Sequence, residues 1–100
     1  MATLSSHANM YNTCLRILRR EGYRLWVQPR PDRNGTVMPR SLIWWAEKGG
    51  YEFSANNPIE LLGLVSIYEH KRPTDYHRYW WQVEGPDIWE ELYQEVNNNS

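Results

Sequence analysis

The sequence predicts an α+β fold in the order α-β-β-β-α-(α)-α, a three-stranded antiparallel meander packed against helices. Three observations lead there: a helical apolar stripe over the first twenty residues, two strand-like runs joined by Gly49-Gly50, and a proline-headed apolar helix after them. At 100 residues, the chain holds one core. Residues 1–96 are therefore expected to form a single domain, with 97–100 a disordered tail.

Leu4, Ala8, Tyr11, Leu15 and Leu18 recur at helical spacing, which predicts a helix over about Ser5–Glu21. Arg19 and Arg20 suit its negative end, and Gly22 suits a left-handed cap. Tyr23–Gln28 alternates with period two and predicts the first strand, with Tyr23, Leu25 and Val27 on one side and Arg24, Trp26 and Gln28 on the other. Pro29 and Pro31 should stop its pairing, and Arg30–Arg40 should be a loop turning at Asn34-Gly35. Ser41–Glu47 and Tyr51–Ala55 follow as strands on either side of a tight Gly49-Gly50 turn.

Asn57-Pro58-Ile59-Glu60 is the strongest local signal, with a capping Asn, Pro at the first helical position and an acid in the first turn. The helix it starts should reach about His70. Its apolar residues nearly encircle it, so it needs cover on more than one side, and Leu62 and Val65 should be buried. Residues 75–83 fit helical spacing through Tyr76, Tyr79, Trp80 and Val83, which favours a short helix over a strand. Pro86-Asp87 opens a last helix, whose stripe of Ile88, Trp89, Leu92, Tyr93 and Val96 should be buried.

Composition narrows the function. With 41% hydrophobic residues and 14% aromatic, the chain is not of the disordered class. No apolar run is long enough to span a membrane, and the first residues carry no export signal. A single cysteine, Cys14, permits no internal disulfide, so a cytoplasmic location is the expectation. Cys14 itself reads as a small buried apolar residue. His70 and His77, with Glu69 and Asp75 nearby, lack metal-ligand spacing, so no metal or cofactor is expected. Glu47, Glu52, Glu69 and Asp75 are the candidate acid–base groups, but no nucleophile elbow, phosphate loop or Cys–His pair accompanies them. An enzyme is therefore not the expected class.

Charge is polarised along the chain. Residues 1–50 carry eight basic and three acidic side chains, a net +5, whereas residues 51–100 carry three basic and nine acidic, a net −6. The simplest reading is mutual neutralisation in the fold; the sharper one is a basic and an acidic face. The expected function is a small protein-binding or regulatory module of the inhibitor, immunity-type or accessory-subunit kind. Its partner-binding residues would be Arg30, Arg33 and Arg40 on the loop with Arg24, Trp26 and Trp45 on the sheet face. Trp, Tyr and Arg dominate binding hot spots, which is why these types are chosen. The competing expectation is that Tyr79, Trp80, Trp81 and Trp89 fold back over that face. Asp87, Glu90 and Glu91 on the acidic last helix form the alternative contact surface. The partner would be another protein, with a second copy of the chain or nucleic acid as the alternatives, the latter through the basic N-terminal half. The order α-β-β-β-α over residues 5–70 resembles that of the double-stranded-RNA-binding domain. That family implies basic residues where the helix follows the sheet, and here the stretch is Asn57-Pro58-Ile59-Glu60.

Overall fold

A computed structural model describes residues 2–36 and 41–98. The chain runs through a 3-10 turn, Ala8–Met10, into α1 (Tyr11–Arg20), then β1 (Arg24–Pro29), β2 (Leu42–Lys48), β3 (Tyr51–Ala55), α2 (Pro58–Lys71) and α3 (Ile88–Asn98). The sheet is antiparallel in the order β1-β2-β3, so the fold is α+β with an open meander, as its alternation predicts.

The first helix starts later than expected. The His7 side chain accepts from the Asn9 N–H and turns the chain there, while Leu4, with no core to meet, stays exposed. Its other end follows the expectation. Gly22 sits at φ +94°, the Gly22 N–H bonds the Arg19 carbonyl, and the Tyr23 N–H bonds the Leu18 carbonyl. This paired closure satisfies two otherwise orphaned carbonyls and requires a left-handed residue at the corner. The Lys48 ammonium donates to the Glu21 carbonyl at 2.6 Å, adding a cation where the helix dipole is negative.

β1 runs one residue beyond its expected end. Pro29 pairs with Leu42, which an edge strand tolerates, and the ladder continues in the Arg30 N–H to Ser41 carbonyl bond at 2.8 Å. Gly49 and Gly50 both have positive φ, +62° and +87°, as a two-residue turn between twisted strands requires. The turn pairs Lys48 with Tyr51. α2 begins as its local signal dictates: the Asn57 side chain accepts from the Glu60 N–H at 2.9 Å, and Glu60 reaches back to the Asn56 N–H.

The core lies between one sheet face and the first two helices. Leu18, Tyr23, Ala46, Phe53, Leu61 and Val65 are buried, with Leu25, Trp44, Tyr51, Ala55, Leu62 and Tyr68 packed around them. Cys14 is buried and free. Two of the sequence expectations need correction here. Leu62 is only half-buried, and Leu61 takes the central place on α2. Val27 points to the core side, yet is 45% exposed, because neither α1 nor α2 covers that end of β1.

Tyr23 ties the layers together by donating to Glu69 Oε1 at 2.7 Å. Burial, reinforced by that hydrogen bond and the Glu69 charge, pushes its hydroxyl pKa well above the usual tyrosine value. The folded state thus holds this proton more tightly than the unfolded chain. Its contribution is fully present below the unfolded pKa of about 10 and is lost as pH rises above it. In urea titrations, wild type should exceed Tyr23→Phe by about 1 kcal/mol at neutral pH. That advantage should shrink above about pH 10. A gap constant to pH 11 would show that Tyr23 does not hold this proton.

No helix forms at 75–83. Tyr79 sits at φ +62°, and the segment makes two hydrogen-bonded turns, Trp80 N–H to the His77 carbonyl and Gln82 N–H to the Tyr79 carbonyl. Ring packing decides its path. Tyr76 stacks on Tyr51 at 4.7 Å, its hydroxyl meets that of Tyr68 at 3.2 Å, and Trp80 packs edge-on to Tyr51 and Tyr68. The Lys71 ammonium then binds the Gln82 carbonyl, holding the segment against the end of α2.

The last helix is capped by Asp87, whose carboxylate accepts from the Glu90 N–H at 2.9 Å. It continues through Asn97 and Asn98 into the segment expected to fray. Its apolar stripe, however, is exposed throughout, Trp89 at 71% and Val96 at 68%. The stripe pattern reports a face that favours burial; the described fold supplies no cover for it. The Cα radius of gyration, 17.0 Å, exceeds the about 13 Å of a compact 100-residue domain.

Candidate functional site

The sheet face away from the helices presents the outward residues of all three strands. Antiparallel register sets Trp26 opposite Trp45, Arg24 opposite Glu47, and Glu47 opposite Glu52. Cross-strand neighbours on one face lie within side-chain contact. The Trp26 and Trp45 rings stack with centroids 5.8 Å apart and planes 3° from parallel. The Arg24 guanidinium lies 4.2 Å from the Trp26 ring centroid and 3.7 Å from Glu47 Oε2. The Trp45 indole N–H donates to Gln28 Oε1 at 3.1 Å, and Glu47 Oε1 accepts from the Gly50 N–H.

These contacts order the face through its own side chains. Each ring is clamped on one side by the other, Trp26 carries a cation on top, and Trp45 has its only polar atom satisfied. An exposed ion pair such as Arg24–Glu47 contributes little to stability, so its main effect is to orient the guanidinium. Glu47 and Glu52 face each other across the strands, an unfavourable pairing that Arg24 offsets for one of them. Both tryptophans are half-buried, so part of each ring still meets solvent.

Of the residues singled out from sequence, Arg24, Trp26 and Trp45 are brought together. Trp44 faces the core, which settles the two adjacent tryptophans to opposite sides. Arg30 sits one step further along the ladder, where it also borders a shallow groove with Ile43, Leu64 and Ile67. Arg33 rides on a turn closed by Asp32, whose carboxylate accepts from the Asn34 and Thr36 N–H groups. Arg40, with Val37, Met38 and Pro39, lies outside the described residues. Asp87, Glu90 and Glu91 lie together on the first turn of α3: Asp87 serves as its cap and Glu90 accepts from Gln94. Tyr79, Trp80, Trp81 and Trp89 do not fold over the Trp26–Trp45 face. Trp80 joins the Tyr51–Tyr68 cluster, Tyr79 packs on Trp81, and Trp89 stacks on Tyr93.

The remaining titratable candidates gather into no site. His77 Nδ1 contacts Asp75 Oδ1 at 2.8 Å in the open, and His77 holds the Asp75 carboxyl below its usual range. Glu69 accepts from Tyr23. Among the described residues, no cluster of three or more His, Cys, Asp or Glu is placed to hold a metal ion, and no helix is long and apolar enough to cross a membrane. The expected neutralisation between the two halves is not made by direct pairing. Among the described residues, the ion pairs are Arg24–Glu47 and His77–Asp75, each within one half.

Gln28 is legible from sequence as outward but not as the partner of Trp45, because that contact depends on register. Strand parity does put Glu47 and Glu52 on the face of Arg24 and Trp26; register adds that Glu47 lies directly opposite Arg24 and anchors its guanidinium. Comparisons of the chain with protein-family models, curated proteins and solved structures find no match.

Proposed function

We propose that this chain is a small protein-binding module of regulatory or accessory kind, and that its contact surface is the sheet face built on Trp26 and Trp45. The observation that carries this reading is the stacked, half-buried tryptophan pair with Arg24 seated on it. Rigid aromatic rings beside an oriented guanidinium are the composition of interface hot spots, because they bury large area at small entropic cost. Arg24 offers directional hydrogen bonds to a partner carboxylate or carbonyl, and Arg30 and Arg33 extend the basic character toward one end.

Nucleic acid is the second reading, since stacked rings among arginines also suit unpaired bases. Glu47 and Glu52 on the same face argue for a protein instead, because carboxylates repel a phosphate backbone. Capture from native lysate, with and without nuclease, separates the two. Wild-type bait should retain a nuclease-resistant protein that Trp26→Ala/Trp45→Ala bait loses. Nuclease-sensitive capture that weakens steeply between about 50 and 200 mM salt would overturn the protein reading in favour of nucleic acid.

A further inference from the structure

A second feature adjoins the tryptophan face and shares Trp26 with it. The helix-covered side of the sheet is incompletely roofed. Two helices, α1 and α2, share three strands, and beside α1 at the β1 edge a groove of about 410 Å³ remains open. Its apolar lining is Leu15, Leu25, Val27 and Trp44, with Trp26 at its outer edge, and its α1 rim carries Arg16 and Arg19. Val27 is the core-facing residue left 45% exposed there. The same chain has an apolar surface without a cover, the Ile88, Trp89, Leu92, Tyr93 and Val96 stripe of α3.

The two surfaces match in charge as well as polarity. At 100° per residue, Glu91 and Glu95 border one side of the α3 stripe and Glu90 borders the other. None of these carboxylates pairs with a cation among the described residues, and neither do Arg16 and Arg19. Apolar stripe against apolar floor, with acidic flanks against a basic rim, is the pattern by which an amphipathic helix seats in a groove.

α3 does not occupy its own groove, since none of its residues lines it. Trp80 is packed on Tyr51 and Tyr68, and Gln82 is held by Lys71, all at the β3 side of the molecule. The groove is at the opposite edge, beyond both α2 and α1. Residues 83–87 reach at most about 20 Å when fully extended. Two helices of about 10 Å diameter stand across that path.

We propose that α3 of one copy of this chain docks in the α1–β1 groove of a second copy, reciprocally, giving a two-fold dimer. Each copy then supplies one helix and one groove, which closes the assembly without free ends. Trp89 and Tyr93, exposed as they are, bring on the order of 250 Å² of ring surface per copy, and the exchange makes that contact twice. Lysines or arginines on another protein would answer the acidic flanks equally well; the open floor at Val27 is what selects this chain's own groove.

Sedimentation equilibrium of the full chain, read with paired charge reversals, tests this. Wild type should sediment at twice 12.0 kDa in the micromolar range and dissociate more readily in high salt. Arg16→Glu/Arg19→Glu and Glu91→Arg/Glu95→Arg change exposed side chains, so each should keep the wild-type circular dichroism spectrum. Each alone should weaken the dimer at least tenfold, as should Trp89→Asp. Mixed in equal amounts, the two charge-reversed chains should form a heterodimer, since both of its contacts regain opposite charges. A wild type that stays monomeric to about 100 μM overturns the proposal, whether α3 is then free or occupied by another protein. So does a dimer that neither charge reversal weakens, or a mixture that fails to associate.

Discussion

Leu61→Ala is expected to destabilise the fold by about 2–5 kcal/mol, the range for deleting a buried leucine and leaving a cavity. Leu61 is fully enclosed, at 0% exposure, between Leu18 of α1 and the sheet residues Ala46 and Phe53. Those neighbours belong to three different elements, so no single segment can collapse into the vacancy. Total stabilities of about 5–15 kcal/mol make such a loss large, and a melting temperature should fall by about 4–8 °C per kcal/mol. The same truncation elsewhere on α2 grades the account. Leu62→Ala, at a half-buried position, should cost less, and Leu64→Ala, at an exposed one, less than about 1 kcal/mol. A thermal melt in which Leu61→Ala is no worse than Leu64→Ala would place the core elsewhere.

Tyr51→Ala should have the second-largest effect and a different signature. Tyr51 is the hub of the aromatic cluster: its ring meets Phe53, Tyr68, Tyr76 and Trp80 at centroid distances between 4.7 and 5.8 Å. Truncation removes four ring contacts at once, and about 3 kcal/mol is expected, the low end for a large aromatic because the position is half-buried. Beyond that loss, Tyr76 and Trp80 lose the surface that holds residues 73–82 against β3. Hydrogen exchange should therefore quicken locally at the Trp80 and Gln82 amides, which close the two turns of that segment. If those amides exchange as in wild type, the segment is held by the Lys71–Gln82 contact rather than by the rings.

How far the sequence foretold this fold depends on where each signal comes from. Asn57-Pro58-Ile59-Glu60, Gly49-Gly50 and Gly22 act on their own neighbours, and all three are found in the roles their chemistry implies. Strand parity likewise placed Trp26 and one of Trp44 and Trp45 on the outer side, and it is the register with Trp26 that selects Trp45. Their contact was not legible, because the long connection between β1 and β2 leaves register open, and it is register that makes them stack. At 75–83 the helical spacing was real but lost to tertiary forces: Tyr76 and Trp80 gain more from Tyr51 and Tyr68 than from a turn of helix. The α3 stripe misled in a third way. Periodicity identifies a face suited to burial, not whether the same chain covers it. Val27 is the same case in a strand, pointing inward to a place with no roof.

The most direct test of the tryptophan face is the affinity of the captured protein partner, measured by titration against Trp45→Ala, Arg24→Ala, Arg33→Glu and Glu91→Arg. Trp45→Ala should lose at least about 2 kcal/mol, roughly thirtyfold in Kd, as a central hot-spot residue does. Arg24→Ala should lose about 1–2 kcal/mol, and Arg33→Glu, at the turn beyond the rings, about 1 kcal/mol through a slower association rate. Glu91→Arg should leave affinity unchanged. Full affinity in Trp45→Ala with loss in Glu91→Arg would contradict this account and assign binding to the acidic helix.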